Sequence, residues 1–280
     1  MKSVFVPFGD VDQFSPAAVD KYEAAILNAR KKNIKIKALV LCHPHNPIGQ
    51  CYPRETIFAL MKLCAKYKLH FISDEIYALS VYPTDSPDAV PFESVLSLQY
   101  SDYIDKKYVH VLYGFSKDLG ASGLRLGCIY TQNSEFMRAL SAISQFHWSG
   151  GPNEAIAISM LEDEVWVDGF LDRCRKLLAS RSKLARSMLD EAGIKYHSAA
   201  NAGFFLWLDL RPFLEHKENE NPWEAEKRLV QRFKELKVFA TDGASMSAEE
   251  PGFFRIVYTQ EEARLKEGIR RIVKAVRSRA

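Results

Sequence analysis

The sequence predicts an α/β protein, with a mostly parallel sheet domain over residues 1–160 and a smaller α+β domain over 161–280. Three observations predict it. Across the first part of the chain, short apolar runs alternate with amphipathic stretches, the pattern of βαβ units. The runs "IKALVLC", "LHFISDEIY" and "KYVHVLYGF" are apolar at consecutive positions, as strands covered on both faces should be. Further on the alternation stops, and long helical patterns separate the strands, which suits an α+β domain.

Taken in order, "PAAVDKYEAAILNARKKN" reads as a helix with Pro16 in its first turn. "IKALVLC" follows as a buried parallel strand. "PRETIFALMKLCAKYK" is a second helix, with Pro53 at its start and lysines near its end. "LHFISDEIY", "KYVHVLYGF" and "LRLGCIYT" then read as three more buried strands. A long helical region covers 164–193, and Gly193 signals its C-cap. "GFFLWLDL", the polar loop "EHKENENP", a helix near "WEAEKRLVQRFKEL", the strand "FFRIVYT" and a basic terminal helix complete the chain. In that last helix Leu265, Ile269, Ile272, Val273 and Val276 recur at helical spacing, so one face packs while the arginines are solvated.

With 280 residues, 47% hydrophobic and 26% charged, the composition is that of a soluble globular protein. A net charge of +3, spread along the chain, gives no electrostatic case for nucleic acid. No run approaches the ~20 apolar residues that span a bilayer, and "MKSVFVPFGDVDQ" lacks the features of a secretory signal. Five scattered cysteines without a C-x-x-C pair suggest reduced thiols and a cytoplasmic protein. There is no internal repeat.

The stretch "LCHPHNPIGQ" has two readings. Cys42, His43 and His45 could begin a metal site, with the two histidines on one side of an extended chain. A zinc needs three or four ligands, however, and no second cluster with ligand spacing follows, so no metal is expected. Alternatively Pro44 and Pro47 stiffen a turn that presents Asn46 at the carboxyl end of a buried strand, where open α/β sheets bind ligands. The next strand ends in "ISDEIY": Asp74 closes an apolar run, where a carboxylate is costly without a cationic partner, and Tyr77 follows. Taken alone, these would be a turn cap and a core aromatic. The third strand ends in "YGFSKDLGASGLRLG", which places Ser116 and Lys117 just past the strand and Arg125 a short loop later. Neither G-x-G-x-x-G nor G-K-[ST] occurs there. Asn46, Asp74, Tyr77, Lys117 and Arg125 on successive strand ends match what pyridoxal phosphate requires. Those requirements are an amine for a Schiff base, an acid for the pyridine nitrogen, donors for the phenolic oxygen and an arginine for the phosphate.

With "NPIG", "SDEIY", "SKDLGASGLRLG", "GFFLWLDL" and "FFRIVYT", the chain resembles a fold-type I pyridoxal-phosphate enzyme of the class I/II aminotransferase family. Within it, it is similar to the 1-aminocyclopropane-1-carboxylate synthase-like branch. The resemblance implies that residues 1–160 are the C-terminal part of a cofactor-binding large domain and 161–280 the small domain. It implies that Lys117 holds the cofactor and then shuttles the proton, through a quinonoid. Asp74 would keep the pyridine nitrogen protonated, Asn46 and Tyr77 would bind the ring oxygen, and Ser116 and Arg125 the phosphate. Arg255 in "FFRIVYT", with Asn46, would grip the substrate α-carboxylate, which suits the planar fork of arginine.

Two departures accompany the likeness. Gly114 stands where family members often carry a phosphate-binding serine, which would remove a hydrogen bond worth ~1–3 kcal/mol to a charged group. The family pattern also includes a stretch before the equivalent of "VFVPFGDV", with a glycine-containing phosphate loop and a ring that stacks on the cofactor. The expectation is therefore an N-terminally truncated chain with uncovered edges and apolar faces and poor stability alone. The expected function is a pyridoxal-phosphate enzyme acting on an amino acid, with amino transfer first. Elimination stays open, either cyclising on S-adenosylmethionine as in the synthase or breaking a C–S bond as in lyases of secondary metabolism. A non-catalytic remnant also stays open. The resemblance further implies a homodimer.

Overall fold

The computed structural model describes residues 3–278. The chain divides into two compact units. One comprises the chain up to His45, Gln50–Val81 and Val90–Cys174; the other comprises Asn46–Gly49, Tyr82–Ala89 and the chain from Arg175.

The first unit is built on a four-stranded sheet of β1 (Ala38–Cys42), β2 (His70–Asp74), β3 (Val109–Gly114) and β4 (Gly127–Thr131), in that order. β1, β2 and β3 are parallel, so their carboxyl ends lie side by side: Cys42 is in register with Asp74, and Asp74 with Leu112. Helix α1 (Ala18–Lys31) begins two residues after Pro16, and buries Ala18, Ala25, Ile26 and Ala29 on one stripe. Helix α2 (Arg54–Tyr67) takes extended Pro53 as its N-cap and stops at Lys68, whose left-handed φ of 54° breaks the helical path.

Two expectations for this sheet are corrected. "LRLGCIYT" was expected as another buried strand, but β4 runs antiparallel to β3 at the sheet edge and exposes Cys128 and Tyr130. The reason is local: Phe115 N–H donates to Leu126 O (3.2 Å), so the segment between the strands doubles back and feeds an antiparallel ladder. At the other edge β1 is covered on one face only; Leu39 and Leu41 are buried, whereas Val40 is 63% exposed. Two helices that the sequence reading did not single out follow, α3 (Ser134–Ser144) and α4 (Gly151–Glu162). They bury little of their apolar surface; Met137, Ile143, Ile156, Ile158 and Leu161 are exposed, as are Phe146 and Trp148 between them.

Helix α5 (Glu164–Glu191) matches the long helical region of the sequence. Gly193, at φ 70°, ends it as expected, and Ile194 N–H caps Leu189 O at 2.9 Å. The second unit holds an antiparallel sheet of β5 (Lys195–Tyr196), β6 (Phe205–Asp209), β8 (Phe253–Val257) and β7 (Thr241–Asp242), in that spatial order. Leu206, Leu208, Phe254 and Ile256 pack with Leu229 and Phe233 of α6 (Pro222–Glu235) and with Leu265, Ile269 and Ile272 of α7 (Glu262–Arg277). The stripe read from the sequence is the one that α7 buries, although Val273 is covered only partly.

Candidate active site

In the first unit the chemistry-bearing residues gather at the carboxyl ends of β2 and β3. Asp74 is the last residue of β2, and its Oδ1 accepts the Ile76 N–H at 3.3 Å, turning the chain outward. Glu75 N–H donates to Leu112 O (2.9 Å), which continues the pairing past the strand. Tyr77 follows on this turn and is buried. Beyond β3 the loop that carries Ser116, Lys117 and Arg125 is bonded to itself: Ala121 N–H donates to Phe115 O (2.9 Å) and Gly120 N–H to Lys117 O (3.0 Å). Lys117 is exposed, with Nζ 5.9 Å from the centre of the Tyr77 ring. Burial raises the Asp74 carboxyl above its ordinary value, while the Ile76 N–H and the charge of Lys117 pull it down. Asp74, Tyr77 and Lys117 are thus one electrostatic neighbourhood.

Ser116 is half-buried, and Arg125 is exposed in a left-handed conformation (φ 55°), with its guanidinium donating to Ser122 O at 3.1 Å. Gly114 has a packing reason for lacking a side chain. A Cβ there would stand 2.9 Å from Leu126 O and 3.2 Å from the Gly127 Cα, so a serine would push β4 away.

Asn46 and Arg255 belong to the second unit, where they meet although 209 positions separate them. Arg255 Nη1 donates to Asn46 Oδ1 (2.8 Å), its Nη2 to Thr241 Oγ1 (3.3 Å), and the guanidinium lies 5.5 Å from the Phe205 ring centre. Its Nε is buried and has no acceptor among the described residues, so the fork retains donor capacity suited to an anion. The turn that offers Asn46 is pinned through Gly49, whose carbonyl accepts the N–H groups of Asn201 (2.8 Å) and Ala202 (2.9 Å). Gly49 has φ 80°, and a Cβ there would lie 2.9 Å from Ala202 O.

The histidine beside this turn has a different job. His43 is fully buried; its Nδ1 accepts the Tyr52 N–H and its Nε2 faces Glu93 O, both at 3.1 Å. Among the described residues no group of three or more His, Cys, Asp or Glu side chains could hold a metal ion. Thr241 and Asp118 were not singled out in the sequence. Thr241 sits on a two-residue strand opposite Arg255, which no local pattern marks, whereas Asp118 stands in plain view inside "SKDLG".

Residues 4–272 match the family model "Aminotransferase class I and II". The chain belongs to that family. Curated relatives place it in the 1-aminocyclopropane-1-carboxylate synthase-like branch. It is 34% identical over 245 residues to 1-aminocyclopropane-1-carboxylate synthase 2 of Solanum lycopersicum, covering 87% of this chain and 48% of the relative. It is 33% identical over 254 residues to a human protein named probable inactive 1-aminocyclopropane-1-carboxylate synthase-like protein 2, covering 90% and 43% respectively. The chain therefore spans about half the length of these curated relatives or less. Among solved structures, a double mutant of Thermus thermophilus aspartate aminotransferase superposes with a TM-score of 0.72 at 21% identity, covering 92% of this chain and 60% of that one. At that identity the likeness speaks for the fold.

Class I and II aminotransferases depend on pyridoxal phosphate, and the donor set here fits that group. A carboxyl destabilised by burial at a strand end favours a cationic partner, which a protonated pyridine nitrogen would be. An exposed primary amine beside it suits an aldehyde, and Ser116 with Arg125 offers a hydroxyl and a cation to a phosphate.

Proposed function

We propose that the chain serves a pyridoxal-phosphate-dependent reaction on an α-amino acid, with amino transfer as the reaction. The observation that carries the reading is Lys117 Nζ standing over Tyr77, within the electrostatic reach of Asp74, at adjacent parallel strand ends. When bound, the cofactor supplies an electron sink for the carbon that loses its proton. The protein's share is placement and proton handling. The Lys117 amine is the nucleophile for an aldehyde and, once free, the base that takes and returns the substrate α-proton. The Asp74 carboxylate stabilises positive charge on a ring nitrogen, and Tyr77 donates to a ring oxygen. Ser116 and Arg125 hold a phosphate. The Arg255 fork receives the α-carboxylate, with Asn46 and Thr241 fixing its plane.

The reading is tested by exchange of the α-hydrogen in deuterium oxide. The cofactor-supplemented protein should exchange the α-proton of an amino acid, and Lys117→Ala should abolish that exchange. Exchange that survives unchanged in the variant would remove Lys117 from the base role. Elimination is the second reading, favoured by the tomato relative that is itself a synthase. A keto acid product marks amino transfer; a cyclopropane amino acid or a cleaved C–S bond marks elimination. The same proposal includes a homodimer and a cytoplasmic setting. The dimer rests on family habit and the setting on the scattered cysteines. No helix among the described residues is long and apolar enough to cross a membrane.

A further inference from the structure

We propose that Asp118 is a positioning residue for Lys117: its buried carboxylate ties the turn carrying Tyr77 to the loop carrying the lysine. The proposal rests on Lys117 being the nucleophile named above.

Asp118 is 7% exposed. Its Oδ2 accepts the Leu79 N–H (2.8 Å) from the turn after β2 and the Tyr113 hydroxyl (3.1 Å) from β3. One carboxylate therefore joins three segments: the turn, the strand and the loop. The geometry bears directly on the lysine. Leu79 lies two residues beyond Tyr77 and Asp118 one beyond Lys117, so the two sides of the amine–ring contact are each anchored at almost their own backbone. Lys117 is exposed on a flexible stem, and backbone anchoring is the economical way to limit where its amine stands. A purely space-filling role would need no buried acceptor, because placing a carboxylate here is costly: burial pushes its pKa up to about 6, against the Leu79 and Ser80 groups and the Tyr113 hydroxyl. The groups that face it are Tyr113 from β3 and Leu79 and Ser80 from the turn, the Ser80 hydroxyl itself donating to Tyr77 O (2.9 Å).

The test compares Asp118→Ala, Asp118→Asn and the milder Tyr113→Phe with wild type by two readouts. The first needs no cofactor: nuclear Overhauser contacts between the Lys117 ε-methylene and the Tyr77 ring. The second is the rate at which pyridoxal phosphate becomes reductively fixed on Lys117 by borohydride. Asp118→Ala should lose the contact and slow fixation about tenfold or more, because small misplacements are costly to reactive geometry. Asp118→Asn, which keeps an accepting oxygen, should restore both to within about threefold, and Tyr113→Phe should fall between. A folded Asp118→Ala or Tyr113→Phe protein with the contact intact and wild-type fixation would overturn the proposal. Absence of fixation on Lys117 in wild type would refute the functional reading instead, and the contact measurement would still decide the role of Asp118.

Discussion

Acid should destabilise this chain through His43, by an amount that can be worked out. The ring is fully buried, and the Tyr52 N–H points at Nδ1, so the neutral ring carries its proton on Nε2 and donates it to Glu93 O. Burial lowers its pKa from 6.5 to about 4, with the Glu93 carbonyl pulling the other way. Between those values the unfolded chain takes up a proton that the folded chain refuses. The stability from keeping the ring neutral is thus complete above the unfolded value and is lost as pH falls toward the folded one. At about 1.4 kcal/mol per pH unit this amounts to about 3 kcal/mol. The assay is urea unfolding from neutral pH down to about pH 4.5, with His43→Asn as reference. The asparagine oxygen can take the Tyr52 N–H but loses the Glu93 contact, so the variant should be about 1 kcal/mol weaker at neutral pH. It should then lack the His43 share of the acid sensitivity, and its deficit should shrink and reverse on acidification. His110 is also held low, to about 4, but it is present in both proteins and cancels in the difference. A wild-type advantage that stays constant across the range would show that His43 does not carry the acid sensitivity.

Further outcomes follow from other sites. Arg255→Lys keeps a charge but cannot serve Asn46 and Thr241 together, so amino-acid affinity should fall about 30-fold, roughly 2 kcal/mol, in substrate titrations. Glu226 is buried and accepts the Gly252 N–H (2.6 Å) and the Ala244 N–H (3.0 Å); Glu226→Ala strands both donors and should cost about 2–4 kcal/mol in denaturant unfolding. Gly114→Ser, read by thermal melting, should destabilise the protein, because the added Cβ meets the β4 backbone. Phe146 (83% exposed) and Trp148 (76% exposed) should make the isolated chain bind apolar dyes and associate with rising concentration; replacing both with serine should lower dye binding without lowering the melting temperature.

What was legible in the sequence was chiefly local. Asp74 at the end of β2 could be read because an apolar run stops there at a polar residue, whereas Asn46 and Lys117 lie past the ends of β1 (Cys42) and β3 (Gly114), in segments that proline and small residues mark as turn and loop. Gly193 and the α7 stripe were legible for the same reason, since capping and helical periodicity act within a few residues. The direction of β4 was not, because "GCIYT" is apolar whether it pairs parallel or antiparallel, and only the Phe115–Leu126 bond decides it. The exposure of Val40 depends on what lies against the sheet, which a run of apolar letters does not encode. The motifs mark Asn46 and Arg255 separately, but their direct bond is a long-range contact that no spacing rule gives. Thr241 was missed altogether, since it acts through sheet register alone.

Whether Lys117 is the cofactor lysine is decided by covalent mapping. The protein is mixed with pyridoxal phosphate, reduced with borohydride, digested, and the modified residue located by mass spectrometry, with Lys117→Ala in parallel. A single dominant adduct on Lys117, absent from the variant, is the expected result. Modification spread over surface lysines to the same extent in both proteins would contradict it.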